Sequence, residues 1–278
     1  MMASAIDSQL MELNRSAIRH DVLVDACRIC WRQWGDGPPL VLIHGGNGSW
    51  MHWVRNIQSL STRYTVWAVD LPGFGDSDNL PDDADALHRQ RNLVSLTKRS
   101  LDLLVPETQE IRLAGFSFGG LVASQLALLR RNLVRLVLLG PAGHGIWRQP
   151  APQLLNWRAC ADQEMQDIMR HNLASLMLYS PHAIDDLAVH VHTYCSERTR
   201  YWSKPISLGS PLLDVLARIL VPISFIWGEH DATAVPEQVR QVLLDNRSER
   251  SFKLISSAGH WVQYEAHDDV NHLLLSMA

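Results

Sequence analysis

A doubly wound, mostly parallel α/β sheet is the fold class that this sequence of 278 residues predicts, and three observations predict it. Short continuous apolar runs recur at Leu40–Ile43, Tyr64–Val69, Ile111–Ala114, Leu133–Leu139 and Ile223–Gly228. Unbroken runs of that length suit strands covered on both faces, as in a parallel sheet. Helically spaced segments alternate with them, which is the pattern of strand–helix–strand units. Loops carrying Gly, Ser, Asp and His follow the strands, where such a sheet gathers its binding groups.

In chain order, residues 1–19 read as a helical or loosely ordered leader. Strand-like segments follow around Val22–Val24 and Cys30–Trp34, and Asp36-Gly37-Pro38-Pro39 is a turn cluster before the first buried strand. His44-Gly45-Gly46-Asn47-Gly48-Ser49 is a Gly-rich loop opening onto a helical stretch with Trp50, Trp53 and Ile57. Asp70 ends the next strand, and Leu71–Ser77 is a loop. An amphipathic helix fits Leu87–Leu104, with Leu93, Leu96, Leu101 and Leu104 on one stripe. From about Ile146 to Ser210 buried-strand runs cease, and helices fit Gln153–Ala161, Gln163–Leu178 and Ala183–Cys195. This block is rich in Trp, Met and Tyr and reads as a cap, so the expected division is a core of residues 1–145 and 211–278 with a lid of residues 146–210. The alternation then resumes with a helix near Val235–Leu244, a strand near Phe252–Ile255 and a final helix from about Asp268 to Leu275.

Composition narrows the function. Hydrophobic residues make up 46% of the chain, enough for a sizeable core. A net charge of −4 without a run of five like charges argues against nucleic acid or an anionic membrane as the main partner. No signal-peptide core and no bilayer-length apolar run is present, so the expectation is a soluble, cytoplasmic protein. Cys27, Cys30, Cys160 and Cys195 are too scattered for a disulfide framework, and Cys27 and Cys30 fall in a strand with opposite facings. His190-Val191-His192 has a spacing that diverges on a helix and lacks an evident third ligand. No metal and no cofactor are expected.

The chemistry centres on Gly115-Phe116-Ser117-Phe118-Gly119, set between the Ile111–Ala114 strand and a helix-like run from Gly120 to Ala127. A strand turning into a helix through G-x-S-x-G is the nucleophile elbow, in which the glycines let backbones close in and the serine hydroxyl is exposed. Three such positions recur by chance in roughly one chain of this length in ten, so partners are needed. A serine hydroxyl needs a base, and the base needs an orienting acid. Asp231 follows the strand ending at Gly228, and His260 follows the last strand. Glu229 and Asp214 are rival acids; Asp231 is preferred. Backbone N–H groups of Phe118 and Gly46 are the expected oxyanion donors, and His44 reads as a structural loop residue. Gly45, Phe116, Trp147 and Trp261 are the expected substrate contacts.

With these residues in place the chain resembles the α/β-hydrolase superfamily over nearly its whole length. The matching pieces are His44-Gly45-Gly46, Asp70–Ser77, Gly115–Gly120, Trp227-Gly228-Glu229-His230-Asp231 and Gly259-His260-Trp261. The resemblance implies an eight-stranded sheet, a cap between strands six and seven, and a Ser117-Asp231-His260 triad. Ser117 separates the chain from members with an aspartate nucleophile, the haloalkane dehalogenases and epoxide hydrolases. Gly259–Glu265, Trp50 and Arg55-Asn56 are similar to segments of the meta-cleavage-product C–C hydrolases. Departures from that group are Asn47-Gly48-Ser49 after Gly46, Phe116 before the serine, and His52 in place of an asparagine. In that group a cap arginine holds the substrate carboxylate, for which Arg158, Arg170, Arg198 and Arg200 are alternatives. The expected function is a cofactor-free serine hydrolase cleaving a small carboxylic ester through an acyl-enzyme. The alternative is C–C hydrolysis of vinylogous diketone acids, and a ligand receptor retaining the fold is the third. The expected partner is a small carbonyl substrate, with a homodimer left open.

Overall fold

The structure is a computed structural model that describes residues 2–80, 85–159, 161 and 164–276. After helix α1 (Met2–Arg15), strands β1 (Ile18–Val24) and β2 (Cys27–Trp34) form an antiparallel hairpin whose register runs from Ile18 opposite Gln33 to Val24 opposite Cys27. Asp25 and Ala26 join them with φ of 48° and 62°, the double positive φ that suits the twist of a two-residue hairpin. Both strands are longer than the apolar runs suggest: β1 is the edge strand with most of its residues exposed, and β2 carries a buried Arg32 that pairs with Asp70 and Asp76.

The other strands are β3 (Pro39–Ile43), β4 (Thr65–Val69), β5 (Ile111–Phe116), β6 (Leu133–Leu139), β7 (Ile223–Gly228) and β8 (Arg250–Ile255). They make one eight-stranded sheet in the order β1-β2-β4-β3-β5-β6-β7-β8, parallel from β4 onward. Alternate residues feed separate apolar layers on its two faces: Val41, Ile43, Leu136 and Leu138 on one, Leu40, Leu42, Val137 and Leu139 on the other. That double coverage is why these strands read as unbroken apolar runs. Helices α2 (Ile57–Leu60), α3 (Ala86–Leu104), α4 (Phe118–Leu129), α9 (Pro236–Leu244), α10 (Val262–Glu265) and α11 (His267–Ser276) flank the sheet segments.

Strand order reverses between β3 and β5. The strand after β3 lies on one side of the pair and the strand after β5 on the other, so a crevice opens at their carboxyl ends. Register sharpens this. Ile43 pairs with Gly115, and Phe116 pairs with Leu139, so the loops after β3, β5 and β6 begin side by side.

Between β6 and β7 lies the helical insert: a turn at Trp157–Ala159, α5 (Met165–Asn172), a wide π turn at Leu173–Met177, α6 (Asp186–Glu197) and α7 (Lys204–Ser207), with α8 (Pro211–Leu216) leading back. Of the helix expected over Gln153–Ala161, the described residues form only the short turn at Trp157–Ala159; Cys160 lies outside them. The Leu155 backbone bonds instead to the Asn172 side chain, donating at 2.8 Å and accepting at 3.0 Å. Cys27, Cys30 and Cys195 are buried free thiols; Cys160 lies outside the described residues.

Candidate active site

Ser117 leads from β5 into α4 with φ 52° and ψ −119°, a conformation outside the ordinary regions for an L residue. It is the one residue of its pentapeptide that is not buried. The flanking glycines are required. A Cβ on Gly119 would fall 2.2 Å from the His44 carbonyl oxygen, and one on Gly115 would fall 2.4 Å from the Gly119 carbonyl oxygen. Contacts that short with fixed backbone leave no room for any side chain.

The Ser117 hydroxyl lies 2.9 Å from His260 Nε2, and His260 Nδ1 lies 2.8 Å from Asp231 Oδ2. With the Nδ1 proton donated to Asp231, Nε2 is left to accept from Ser117. Asp231 is fully buried and His260 is nearly so. Burial pushes the Asp231 carboxyl up, but His260 and two donors from Thr233 outweigh it and leave the group below the ordinary carboxylate range. Those donors are the Thr233 N–H and hydroxyl, each 2.7 Å from Asp231 Oδ1. Glu229 instead accepts from the Ser257 N–H at 3.1 Å, and Asp214 sits in α8. Sequence reasoning missed Thr233, although a Thr two residues after an Asp is a local turn signal.

His44 donates from Nδ1 to the Gly45 carbonyl (2.8 Å) and accepts the Leu71 N–H at Nε2 (3.0 Å), so it is a loop brace. Burial moves it below its ordinary pKa, against the raising effect of Asp70. Gly45 lies against Ser117, since a Cβ there would fall 3.2 Å from Ser117 Cβ and 2.9 Å from the Phe116 ring. Gly46 faces Phe118: its Cβ would fall 3.9 Å from Phe118 Cβ. Neither the Gly46 nor the Phe118 N–H has an acceptor among the described residues.

Phe116 is buried between His260 and His52, with ring centroids 5.0 Å and 5.5 Å away. Trp261 has no exposed surface; its indole donates to the His52 carbonyl at 3.0 Å and its ring stacks on Tyr264. Trp147 packs on His144 at 4.5 Å and donates to the Leu208 carbonyl at 2.9 Å. Trp261 thus braces the loop of His52 rather than presenting a face, and Trp147 is placed beside His144. His52 Nδ1 accepts the Gly45 N–H at 3.3 Å, so His52 holds the loop that carries Gly46. Burial, reinforced by His44, His192 and His260, keeps His52 well below its ordinary pKa and neutral.

Arg55 pairs with Asp185 and lies over the Tyr264 ring, and Asn56 donates to the Gln263 carbonyl at 2.9 Å. Both therefore brace the segment after His260. The four arginines considered as carboxylate holders each have partners within the protein. Arg158 lies over Trp157, Arg170 binds Asp186 and the Ile184 carbonyl, Arg198 lies over Tyr194, and Arg200 binds Asn79 and loop carbonyls. His190 stacks with Tyr194 while His192 is near His52, so the two diverge. Among the described residues, Cys30, Asp70 and Asp76 come together as potential metal ligands, but the Arg32 guanidinium contacts all three, at 3.4, 3.1 and 2.5 Å.

A serine, histidine and aspartate linked in this way at the carboxyl edge of a parallel sheet form an arrangement that recurs in enzymes that attack a carbonyl through an activated hydroxyl. Residues 40–273 match the sequence profile of the alpha/beta hydrolase family. A pimeloyl-[acyl-carrier protein] methyl ester esterase of Photobacterium profundum is 30% identical over 87% of this chain and 94% of its own. A 2-hydroxy-6-oxononadienedioate/2-hydroxy-6-oxononatrienedioate hydrolase of Comamonas testosteroni is 27% identical over 96% of this chain and 98% of its own. Among solved structures, a carboxylesterase from Bacillus subtilis superposes with a TM-score of 0.74 at 20% identity, covering 99% of this chain and 95% of that one. The chain belongs to the α/β-hydrolase family and is a hydrolase.

Proposed function

We propose that the protein hydrolyses a small carboxylic ester through an acyl-enzyme on Ser117. The observation that carries this reading is the unbroken hydrogen-bonded line from Ser117 Oγ through His260 to Asp231. His260 Nε2 takes the hydroxyl proton as Ser117 Oγ bonds to the carbonyl carbon. Asp231 holds the imidazole in the required tautomer and stabilises the imidazolium. Negative charge on the carbonyl oxygen is met by the N–H groups of Gly46 and Phe118, free to donate there. The tetrahedral adduct collapses as His260 gives its proton to the leaving alcohol. Water, deprotonated by the same nitrogen, then cleaves the acyl-enzyme. No step calls on a metal or organic cofactor.

C–C hydrolysis of a vinylogous diketone acid is the second reading, favoured by the similarity to the Comamonas testosteroni hydrolase. The engagement of Arg158, Arg170, Arg198 and Arg200 with partners within the protein weighs against it. Turnover of p-nitrophenyl acetate or butyrate is expected to fall by about 10⁴-fold or more in Ser117→Ala. Wild-type turnover by that variant would overturn the ester reading. A ring-cleavage dienoate turned over far faster than any ester would favour the C–C reading.

A further inference from the structure

The final stretch of the insert is tied to the core immediately before it reaches the catalytic edge. The Arg200 N–H donates to the Gly73 carbonyl at 2.8 Å, and its guanidinium binds the Ser77 carbonyl and the Asn79 side chain. Tyr201 is buried, stacks on Phe118 with centroids 5.6 Å apart, and donates its hydroxyl to Gln90 at 3.0 Å. Gly73, at φ 84°, admits this approach, because a Cβ there would fall 2.9 Å from Tyr201 Cβ. The chain direction at residues 200–201 is therefore set by the core.

Two residues on, that strap delivers Ser203. A Cβ on Gly46 would fall 2.8 Å from Ser203 Oγ, the nearest atom, and 3.9 Å from Phe118 Cβ. Gly46, Phe118 and the Ser203 hydroxyl thus border one point. Ser203 is half-buried, and its hydroxyl makes no cap bond to α7 and has no hydrogen-bond partner among the described residues. A hydroxyl rotates freely about its C–O bond, so it can turn its proton toward an oxygen arriving there. A hydroxyl bordering the same point as Gly46 and Phe118 would strengthen its hydrogen bond to an oxygen there as charge develops, which is the condition for lowering a barrier.

We propose that Ser203 is a further catalytic residue, a third donor to the oxyanion supplied by the insert. This rests on the ester reading above. No proton is transferred from it: the hydroxyl donates a hydrogen bond to the carbonyl oxygen in the tetrahedral adduct and keeps its proton when the adduct collapses.

Ser203→Ala removes the donor, and Ser203→Cys fills its volume with a weak one. In either variant kcat on p-nitrophenyl butyrate is expected to fall about 10- to 100-fold, with KM within about twofold of wild type. Affinity for a trifluoromethyl ketone, whose adduct on Ser117 carries the oxyanion, should fall by the same factor. A merely structural role would move the melting temperature instead, which is expected to stay unchanged. The proposal is overturned if kcat and ketone affinity stay within about twofold of wild type in a folded variant, or if the loss is confined to KM. Ser117→Ala, run beside them, separates the two readings. An active Ser117→Ala sinks the hydrolase mechanism itself, whereas an inactive one beside a fully active Ser203→Ala sinks only the role of Ser203.

Discussion

Thr233 does for Asp231 what Asp231 does for His260. Its two donors occupy Oδ1 and leave Oδ2 for the imidazole, so the carboxylate cannot rotate away from its partner. Thr233→Val keeps the N–H and the side-chain volume but removes the hydroxyl donor. A hydrogen bond to a charged group contributes about 1.5 kcal/mol at least, so kcat/KM is expected to fall about tenfold. The carboxylate also loses an interaction that lowers its pKa, so the acid-side loss of activity should move to higher pH; a kcat/KM profile between pH 3 and 7 checks both. At this scale legibility was uneven. Ser117, Asp231 and His260 each sit just past a strand, and strand ends are visible as the close of an apolar run. Ser203 has no such mark. Its proximity to Gly46 comes from the packing of Tyr201 on Phe118, a contact between distant segments that no local spacing encodes.

Glu265 at the end of α10 is the counterpart among elements. Its carboxylate accepts from the Gly259 N–H at 2.7 Å, the Ser180 N–H at 2.6 Å and the Tyr179 N–H at 3.1 Å. It thereby joins the loop of His260 to the part of the insert just past the π turn, where the Trp261 N–H also donates to the Met177 carbonyl at 2.7 Å. Glu265→Ala leaves these donors without their acceptor; Tyr179 is exposed and its N–H can turn to water, while the part-buried Gly259 and Ser180 donors cost about 1–2 kcal/mol each. A loss of about 2–4 kcal/mol of stability in urea is expected, with kcat lowered because the His260 loop is released. An unaltered urea midpoint would refute the bracket. Parallel strands and the long α3 were readable because burial on both faces and a helical stripe leave strong periodic signals. The hairpin strands and the stretch around Gln153 were less so, since a buried ion pair inside β2 and bonding of Leu155 to the distant Asn172 side chain leave none.

Across the whole molecule, four histidines are held neutral chiefly by burial: His44, His52, His144 and His192, the last two lowered to about 4. Unfolded, each would titrate near its ordinary value of about 6.5. Between that pH and about 4 the unfolded chain binds protons that the native chain refuses, so stability falls as pH falls through this window and is flat above it. Depressed carboxylates such as Asp231 act in the same direction, but at lower pH. Melting temperature is therefore expected to hold above about pH 7 and decline steadily below about 6.5. His144 is almost fully buried, and His144→Phe should reduce the slope of unfolding free energy by up to about 1.4 kcal/mol per pH unit. An identical slope in that variant would remove His144 from the account.

The strap of Arg200 and Tyr201 bears on how such enzymes diversify. An insert attached only at its ends behaves as an interchangeable part, free to be traded among relatives while the sheet keeps the chemistry. Here Tyr201 and Ile206 belong to the same apolar layer as Phe74, Phe118 and Leu121. A transplanted insert that lacks Tyr201 would strip that layer of the ring seated on Phe118. The strap, and not only the two ends of the insert, therefore has to match the core on which it packs.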